Sequence, residues 1–375
     1  MNVEEYLGSK STFPLGKFGG HEGRELRSGD KLEIGNDVST EPTPLPKQLI
    51  PAIQNNWEIK VVGGPQDLGF LTEEDVKLFY ETTWNVSHNA SRLGVRLEGP
   101  KKFKWARTDG GEGGSHPSNV HDNAYSIGSI NFTGDHPVIL TCDGPSLGGF
   151  VCNATIPSAE LWKVGQLKPG DKIKFQRISV QESVKLRSEQ DESIKTLKPI
   201  STPEIIVKPG NFGMDALCFR QEAKGKSPSV SYRLGGDNYV LVEYGEQVLD
   251  FNNRVRIHAL EKWLREGKIK GLVDTIPGVR SLLIQYNSQL LPPANLIDLL
   301  KNAEKEIGDL SDFKVKSRVL HLPMAYRDKW SLAAIAKYQS TVREEAPYLP
   351  DNIDFIAANN GITPEEVHKI IFDAR

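Results

Sequence analysis

Gly111-Glu-Gly-Gly-Ser-His-Pro-Ser-Asn-Val-His-Asp-Asn-Ala-Tyr-Ser-Ile-Gly128 is the densest run of polar chemistry in the chain, with Asn131-Phe-Thr-Gly134 and Cys142-Asp-Gly-Pro-Ser-Leu-Gly-Gly149 close behind it. Glycines here let backbone amides approach a small ligand, while His116, Asn119, His121, Asp122, Asn123 and Tyr125 crowd donors and acceptors into one short span. A connecting loop needs far less. The short apolar runs between these turns read as strands, so the first half is expected to be β-rich.

Working outward, Trp57 to Val62, Arg92 to Leu97, Ile127 to Phe132, Pro137 to Thr141 and Lys172 to Ile178 are bounded by Gly, Pro or Asp and predict strands. Thr72-Glu-Glu-Asp75 is a capping signal for one helix, with Asp where Glu or Gln is usual. Lys168-Pro-Gly-Asp171 predicts a tight turn into a strand. From about Gln181 to Pro228 the chain is polar, carries Pro199, Pro203 and Pro209, and shows little periodicity, so a linker or long excursion is expected.

Beyond it, Ser229 to Leu234 and Tyr239 to Tyr244 read as strands, Val255 to Leu264 as a helix, and Gly278 to Tyr286 as a strand. A helix from Ala294 to Ile307, a strand from Arg318 to Leu322, and helices near Leu332 to Val342, Asp351 to Asn359 and from Thr363 complete the pattern. The fold class is α+β and β-rich. The expected division is residues 1–180, a linker over 181–228, and residues 229–375.

Composition narrows the function. A net charge of -3 with no long Lys or Arg run argues against nucleic acid or an anionic membrane as partner. Three scattered cysteines make no disulfide framework and fit a reducing, cytoplasmic setting. No apolar run is long enough for a spanning helix.

The chain closely resembles the carboxyltransferase domain of the biotin-dependent urea carboxylases. Tyr6-Leu-Gly-Ser-Lys-Ser-Thr-Phe13, Asn89-Ala-Ser-Arg-Leu-Gly-Val-Arg-Leu-Glu-Gly-Pro100 and Glu160-Leu-Trp-Lys-Val-Gly165 are similar to an allophanate hydrolase subunit 2-like portion. Tyr239-Val-Leu-Val-Glu-Tyr-Gly245, Pro277-Gly-Val-Arg-Ser281 and His321-Leu-Pro323 are similar to a subunit 1-like portion. The resemblance implies two cyclophilin-like, β-barrel-containing domains with the active site between them, and transfer of a carboxyl group from carboxybiotin to urea to give allophanate. It also implies a fragment truncated at both ends, with biotin delivered by a carrier domain, ATP used only at a separate biotin carboxylase domain, and both domains lying outside this chain. A non-catalytic binding protein, a 5-oxoprolinase-type subunit and an inactive gene remnant are the rival expectations.

Urea offers four N–H donors and one carbonyl, so its site needs paired oxygens and a donor. Asp122 is the first candidate, since a carboxylate accepts two parallel N–H bonds. His116 and His121 join it as catalytic candidates; Asn119, Asn123, Tyr125 and Asp143 are substrate-binding candidates, and Gly113, Gly114 and Arg280 candidates for biotin. His121 reads equally as a structural residue, and Asp143 as part of a turn. A metal site at His116, His121, Asp122 and Cys142 is not expected, because the H-x4-H spacing falls in a Gly/Pro-rich segment instead of one helical face. Arg92 and Arg96 are expected on one face of a strand, solvated or holding a carboxylate. Arg343 and Tyr348 fall near a helix end, and His321 reads as packed.

Overall fold

The computed structural model describes residues 2–35, 44–66, 69–99, 102–108, 110, 116–199, 216–341, 344–345 and 349–374, except for the side chain of His121. Gly113, Gly114, Pro203, Pro209, Arg343 and Tyr348 lie outside the described residues. Two compact units are present, residues 1–51 and residues 52–375.

The small unit is built from turns. The Phe18 ring packs at a tilt against Tyr6, 5.2 Å away, and Phe13, 5.4 Å away. Arg24 makes a fork of two hydrogen bonds, 2.9 and 2.8 Å, to Asp30, and this pair holds the Asp30 carboxyl well below the usual range.

In the large unit, β1 (Asn56–Gly63) alternates as its sequence demands: Trp57, Ile59 and Val61 point into the core while Glu58 faces out. Helix α1 (Glu73–Glu81) starts on a complete capping box, Thr72 Oγ1 accepting from Asp75 N at 3.1 Å and Asp75 accepting from Thr72 N at 3.3 Å. Asp in place of Glu has a further use. Its carboxylate also accepts from Lys104 N and Trp105 N, both at 2.9 Å, and ties the helix to the next loop. Then come β2 (Trp84–Val86), β3 (Gly94–Glu98), β4 (Asn119–Ala124), β5 (Ser129–Thr133), β6 (His136–Leu140), β7 (Leu147–Phe150), β8 (Cys152–Thr155), the short α2 (Leu161–Val164) and β9 (Lys172–Arg177).

Strands β1-β8-β5-β6-β3-β2-β9 close into a barrel, β9 returning parallel to β1. Its interior is aromatic: Phe79 stacks on Phe175 at 4.9 Å, and Phe103 meets Phe132 edge-on at 4.8 Å. Strands β4 and β7 form a separate ribbon. Since β3 begins at Gly94, Arg92 is not on its face; it sits in the Ser91–Gly94 turn and pairs with Asp143 at 3.1 Å.

The polar segment after Gln181 is not featureless. Helix α3 (Val180–Thr196) opens on a capping box from Ser179 and Glu182. It buries only Val180 and Ser183, so the apolar periodicity that betrays most helices is missing. Strand β10 (Leu217–Gln221) follows, then β11 (Val230–Leu234), β12 (Tyr239–Tyr244), α4 (Phe251–Glu266), β13 (Leu272–Pro277), β14 (Ser281–Tyr286), α5 (Pro293–Ile307), α6 (Lys329–Thr341), α7 (Asn352–Asn360) and α8 (Pro364–Asp373).

A barrel was expected in each half. The first closes; in the second, the described strands make an antiparallel sheet in the order β10-β11-β12-β14-β13. Ile257, Leu260 and Leu264 of α4 and Leu296 and Leu300 of α5 are fully buried against one face, each worth about 1.5–3 kcal/mol. Ala124 of β4 packs on the other face with Leu241 and Leu283. No strand forms at Arg318 to Leu322: Leu320 and Leu322 are exposed, the run ends at Pro323, and no strand among the described residues pairs with it.

Candidate functional site

Strand β4 carries the polar run from the barrel half to the sheet half. Oδ2 of Asp122 accepts from Val279 N at 3.1 Å, Arg280 N at 3.3 Å and Ser281 Oγ at 2.8 Å, so it caps the β13–β14 turn. That turn approaches closely because Gly278 has no side chain; a Cβ there would stand 2.4 and 2.6 Å from the two Asp122 oxygens. Two parallel bonds from Asp122 to one ligand would share Oδ2 with these three donors.

Asn123 is fully buried and pairs reciprocally with Gln66: Gln66 Nε2 donates to Asn123 Oδ1 at 3.0 Å, and Asn123 Nδ2 donates to Gln66 Oε1 at 3.1 Å. Asn123 Nδ2 also donates to Phe150 O at 3.2 Å, and Gln66 Oε1 accepts from Cys152 N at 3.1 Å. Every bond found for these two amides is internal, as buried polar groups require.

Arg280 is buried, its Nη2 donating to Glu243 Oε1 at 2.6 Å and its Nη1 to the Tyr244 and Gly245 carbonyls at 3.1 and 3.2 Å. The other oxygen of Glu243 accepts from Arg233 Nε at 2.8 Å. One carboxylate thus serves two guanidinium groups, a network that holds all three side chains in place.

Gln66 and the Arg233–Glu243–Arg280 network, though not Asp122 or Asn123 themselves, line a cleft of about 580 Å³ walled by both halves, with Pro65, Gln66 and Phe70 on one side and Arg233, Glu243, Gln247 and Arg280 on the other. Arg107 stacks over the Phe70 ring at 4.8 Å, donates to Pro117 O at 3.0 Å and to Asn119 O, and reaches Gln247 at 3.5 Å. Room for a small ligand and fixed polar groups of both signs make it the best candidate site.

The other candidates divide. His116 caps its own turn, Nδ1 accepting from Ser118 N at 3.1 Å, and its ring lies edge-on to Trp105 at 5.5 Å. Asn119 opens β4 beside the Arg107 contacts. Tyr125 lines a different cleft; its hydroxyl accepts from Phe150 N at 2.8 Å, and burial pushes its acidity far down. Asp143 is on the rim of a third cleft, paired with Arg92. Asp122 and Arg280 therefore meet at one turn, Asn123 adjoins both Gln66 and, through the Phe150 backbone, Tyr125, and Asp143 lies apart.

Residues 1–177 match the carboxyltransferase domain, subdomains A and B, and residues 230–375 match the carboxyltransferase domain, subdomains C and D. The chain belongs to the carboxyltransferase domain family. Urea amidolyase of Saccharomyces cerevisiae is 45% identical over 386 residues, covering 100% of this chain and 21% of that protein. Urea amidolyase of Lachancea kluyveri is 44% identical over 391 residues, with 100% and 21% covered. The crystal structure of Kluyveromyces lactis urea carboxylase superposes with a TM-score of 0.87 at 43% identity, covering 100% of this chain and 34% of that one. The chain thus spans 21% of the length of the two urea amidolyases.

Sequence reasoning missed Gln66, Arg107, Arg233, Glu243 and Gln247. Glu243 carried a signal: it is the one charge in the apolar strand Tyr239-Val-Leu-Val-Glu-Tyr244, and a buried charge in such a run needs a partner. Gln66 carried none, because only the fold brings it to Asn123.

Proposed function

We propose that the chain carries the carboxyl-transfer step of a biotin-dependent urea carboxylase, in which a carboxyl group passes from carboxybiotin to a urea nitrogen and allophanate is released. The observation that carries this reading is the charged cleft walled by both halves, in a chain that matches Kluyveromyces lactis urea carboxylase along 100% of its length. The division into residues 1–180 and 229–375 about the segment 181–228, and a cyclophilin-like character for the halves, are part of the same proposal.

The residues present fit a biotin ureido ring on their chemistry. The cleft offers Arg233 and Arg280 guanidinium groups and the Gln247 amide, and Arg280 Nε is enclosed with no hydrogen-bond partner among the described residues. Bound there, biotin would supply the activated carboxyl group. The chain's own work is to place urea, stabilise developing negative charge on oxygen and keep water out.

Arg280, braced by Glu243 and two backbone carbonyls, supplies fixed positive charge. Phe70 under Arg107 gives an apolar wall. Asp122 holds the turn that presents Arg280, and its Oδ1 is the oxygen we assign to a urea N–H. His116, His121 and Asn119 remain candidates on the same strand and its approach, with Asn123 as the buried support beneath. The partners we propose are urea and the biotinyl carrier and biotin carboxylase domains, with ATP acting only at the latter. Among the described residues no helix is long and apolar enough to cross a membrane.

A chimera tests this: the chain replaces the corresponding stretch of a complete fungal urea carboxylase, and urea-dependent allophanate formation is measured beside ATP cleavage. Allophanate formation is the expected result. Biotin carboxylation that persists with no transfer to urea would overturn the reading.

A further inference from the structure

A second cleft, of about 420 Å³, lies on the outside of the barrel where the β4–β7 ribbon crosses it. In the barrel wall, Arg96 of β3 and Asn131 of β5 are both registered opposite Val138 of β6. Residues directly opposite one another across a sheet point to the same face, so Arg96, Val138 and Asn131 form one transverse row. The neighbours Val95, Ile139 and Ile130 point the other way into the barrel core, which puts the row on the outer face.

Both ends of that row have unmet needs. Among the described residues the Arg96 guanidinium has no ion pair and no hydrogen-bond partner, although the residue is half-buried. Asn131 is only 4% exposed and its side chain hydrogen-bonds the Tyr125 hydroxyl, while its Oδ1 is enclosed with no donor among the described residues. A buried amide oxygen left unpaired is destabilising, so such an atom marks a place where a donor is wanted. Between the two ends the floor is apolar, made by Val138 and Leu140, and Tyr125 with Phe150 closes one side. Gly148 lets the ribbon come this close, since a Cβ there would stand 2.6 Å from the Tyr125 ring.

We infer that this cleft binds a small monocarboxylate with a nearby amide N–H, the carboxylate on Arg96 and the N–H on the Asn131 carboxamide. The row sets the scale: two strand spacings put the ends about 10 Å apart at Cα, and the two side chains reaching inward leave room for a ligand of a few heavy atoms. A neutral amide would leave Arg96 unmatched, and a simple carboxylate would leave Asn131 unmatched. The cleft shares no lining residue with that of the proposed transfer, although the two adjoin: Asn123, which pairs with Gln66, and Tyr125 both bond to the Phe150 backbone. Allophanate belongs to the proposed ligand class, and to that extent the inference rests on the proposed function; its test does not involve transfer.

The probe is oxamate, a carboxylate joined to a primary amide. The full chain is treated with phenylglyoxal with and without oxamate, and modification is mapped by peptide mass spectrometry. We expect oxamate to protect Arg96, and acetamide to give no protection. Arg92, exposed and paired with Asp143 at another cleft, serves as the internal control and should stay unprotected. Calorimetric titration should show oxamate binding at least about tenfold weaker in Arg96→Gln, with Arg96→Lys between the two, because a charge-assisted bond is removed in one and a point charge kept in the other. Equal modification of Arg96 with and without oxamate, or oxamate affinity unchanged in folded Arg96→Gln, would overturn the inference. The protection experiment uses the unaltered chain, so it decides the matter even where the variants fail to fold.

Discussion

Asp122 and Ser281 are 159 positions apart in sequence and meet at 2.8 Å, the serine hydroxyl donating to the carboxylate. The same oxygen accepts from Val279 N and Arg280 N, so one side chain from the ribbon fixes the turn that carries Arg280 to the cleft. Asp122→Ala strips an acceptor from three donors at once, one of them on the buried Arg280 backbone. The expected loss is about 2 kcal/mol of stability, with roughly half of that for Asp122→Asn, which keeps a carbonyl oxygen. Guanidinium chloride unfolding measures it without adding urea, the proposed ligand. Unchanged midpoints would remove the capping role and return the whole carboxylate to the ligand.

Gly278 makes the same joint possible from the other side. An added Cβ would lie 2.4 and 2.6 Å from the Asp122 oxygens and 2.7 Å from Ser281 Oγ. Gly278→Ala should cost about 1–3 kcal/mol through overpacking, read as a lower melting temperature. Paired with Asp122→Ala, the clash with the carboxylate is gone, so the two losses should add to less than their sum. Strict additivity would show that the turn adjusts without pressing on Asp122.

Much of the fold was legible where one face of an element meets a core. Trp57, Ile59 and Val61 alternate with polar neighbours and give β1 directly, and the leucines of α5 repeat at helical spacing over the sheet. Strand β4 was not legible: Asn119-Val-His-Asp-Asn-Ala124 looks like a polar loop because its side chains serve hydrogen bonds, Asn123 to Gln66 and Asp122 to Ser281. Helix α3 was hidden for the opposite reason, since it is polar nearly all round and held by pairs such as Arg187 with Asp191 at 3.0 Å. The site followed the same division. Asp122, Asn123 and Arg280 were candidates by residue type, whereas Gln66 and Arg107 enter the candidate site only through partners that tertiary contact supplies.

Asp171 gives a pH signature. Burial pushes its pKa up, but the Lys168 ammonium at 2.8 Å, the Trp57 indole N–H at 3.2 Å and the Lys168 backbone N–H at 3.2 Å outweigh this, and the net shift is downward. A depressed carboxyl pKa stabilises the fold above the unfolded value of about 4, and that contribution fades as pH falls through the folded value. Asp171→Asn should therefore melt below the wild type at pH 7, with the gap closing below about pH 4. A gap that is constant down to pH 2 would mean that charge on Asp171 is not what stabilises the Lys168–Asp171 turn.

Glu243 is the residue on which the proposed site depends electrostatically. It is 8% exposed, and its oxygens accept from Arg280 at 2.6 Å and Arg233 at 2.8 Å. Glu243→Gln keeps the shape but removes the carboxylate bonded to both guanidinium groups and turns an amide NH2 toward one of them. Breaking a buried pair in this way costs about 3–5 kcal/mol; the cleft beside it admits water, so the lower end is expected. In the chimeric enzyme, allophanate formation should fall at least about tenfold, because Arg280 is no longer held where charge develops. ATP cleavage without urea should persist, since the proposed function places it in another domain. Replacing Arg233 with Gln in the same chain relieves the repulsion and should restore part of the stability while leaving transfer impaired. Transfer at the wild-type rate in a folded Glu243→Gln variant would take Arg280 out of the transfer step and move the site away from this cleft.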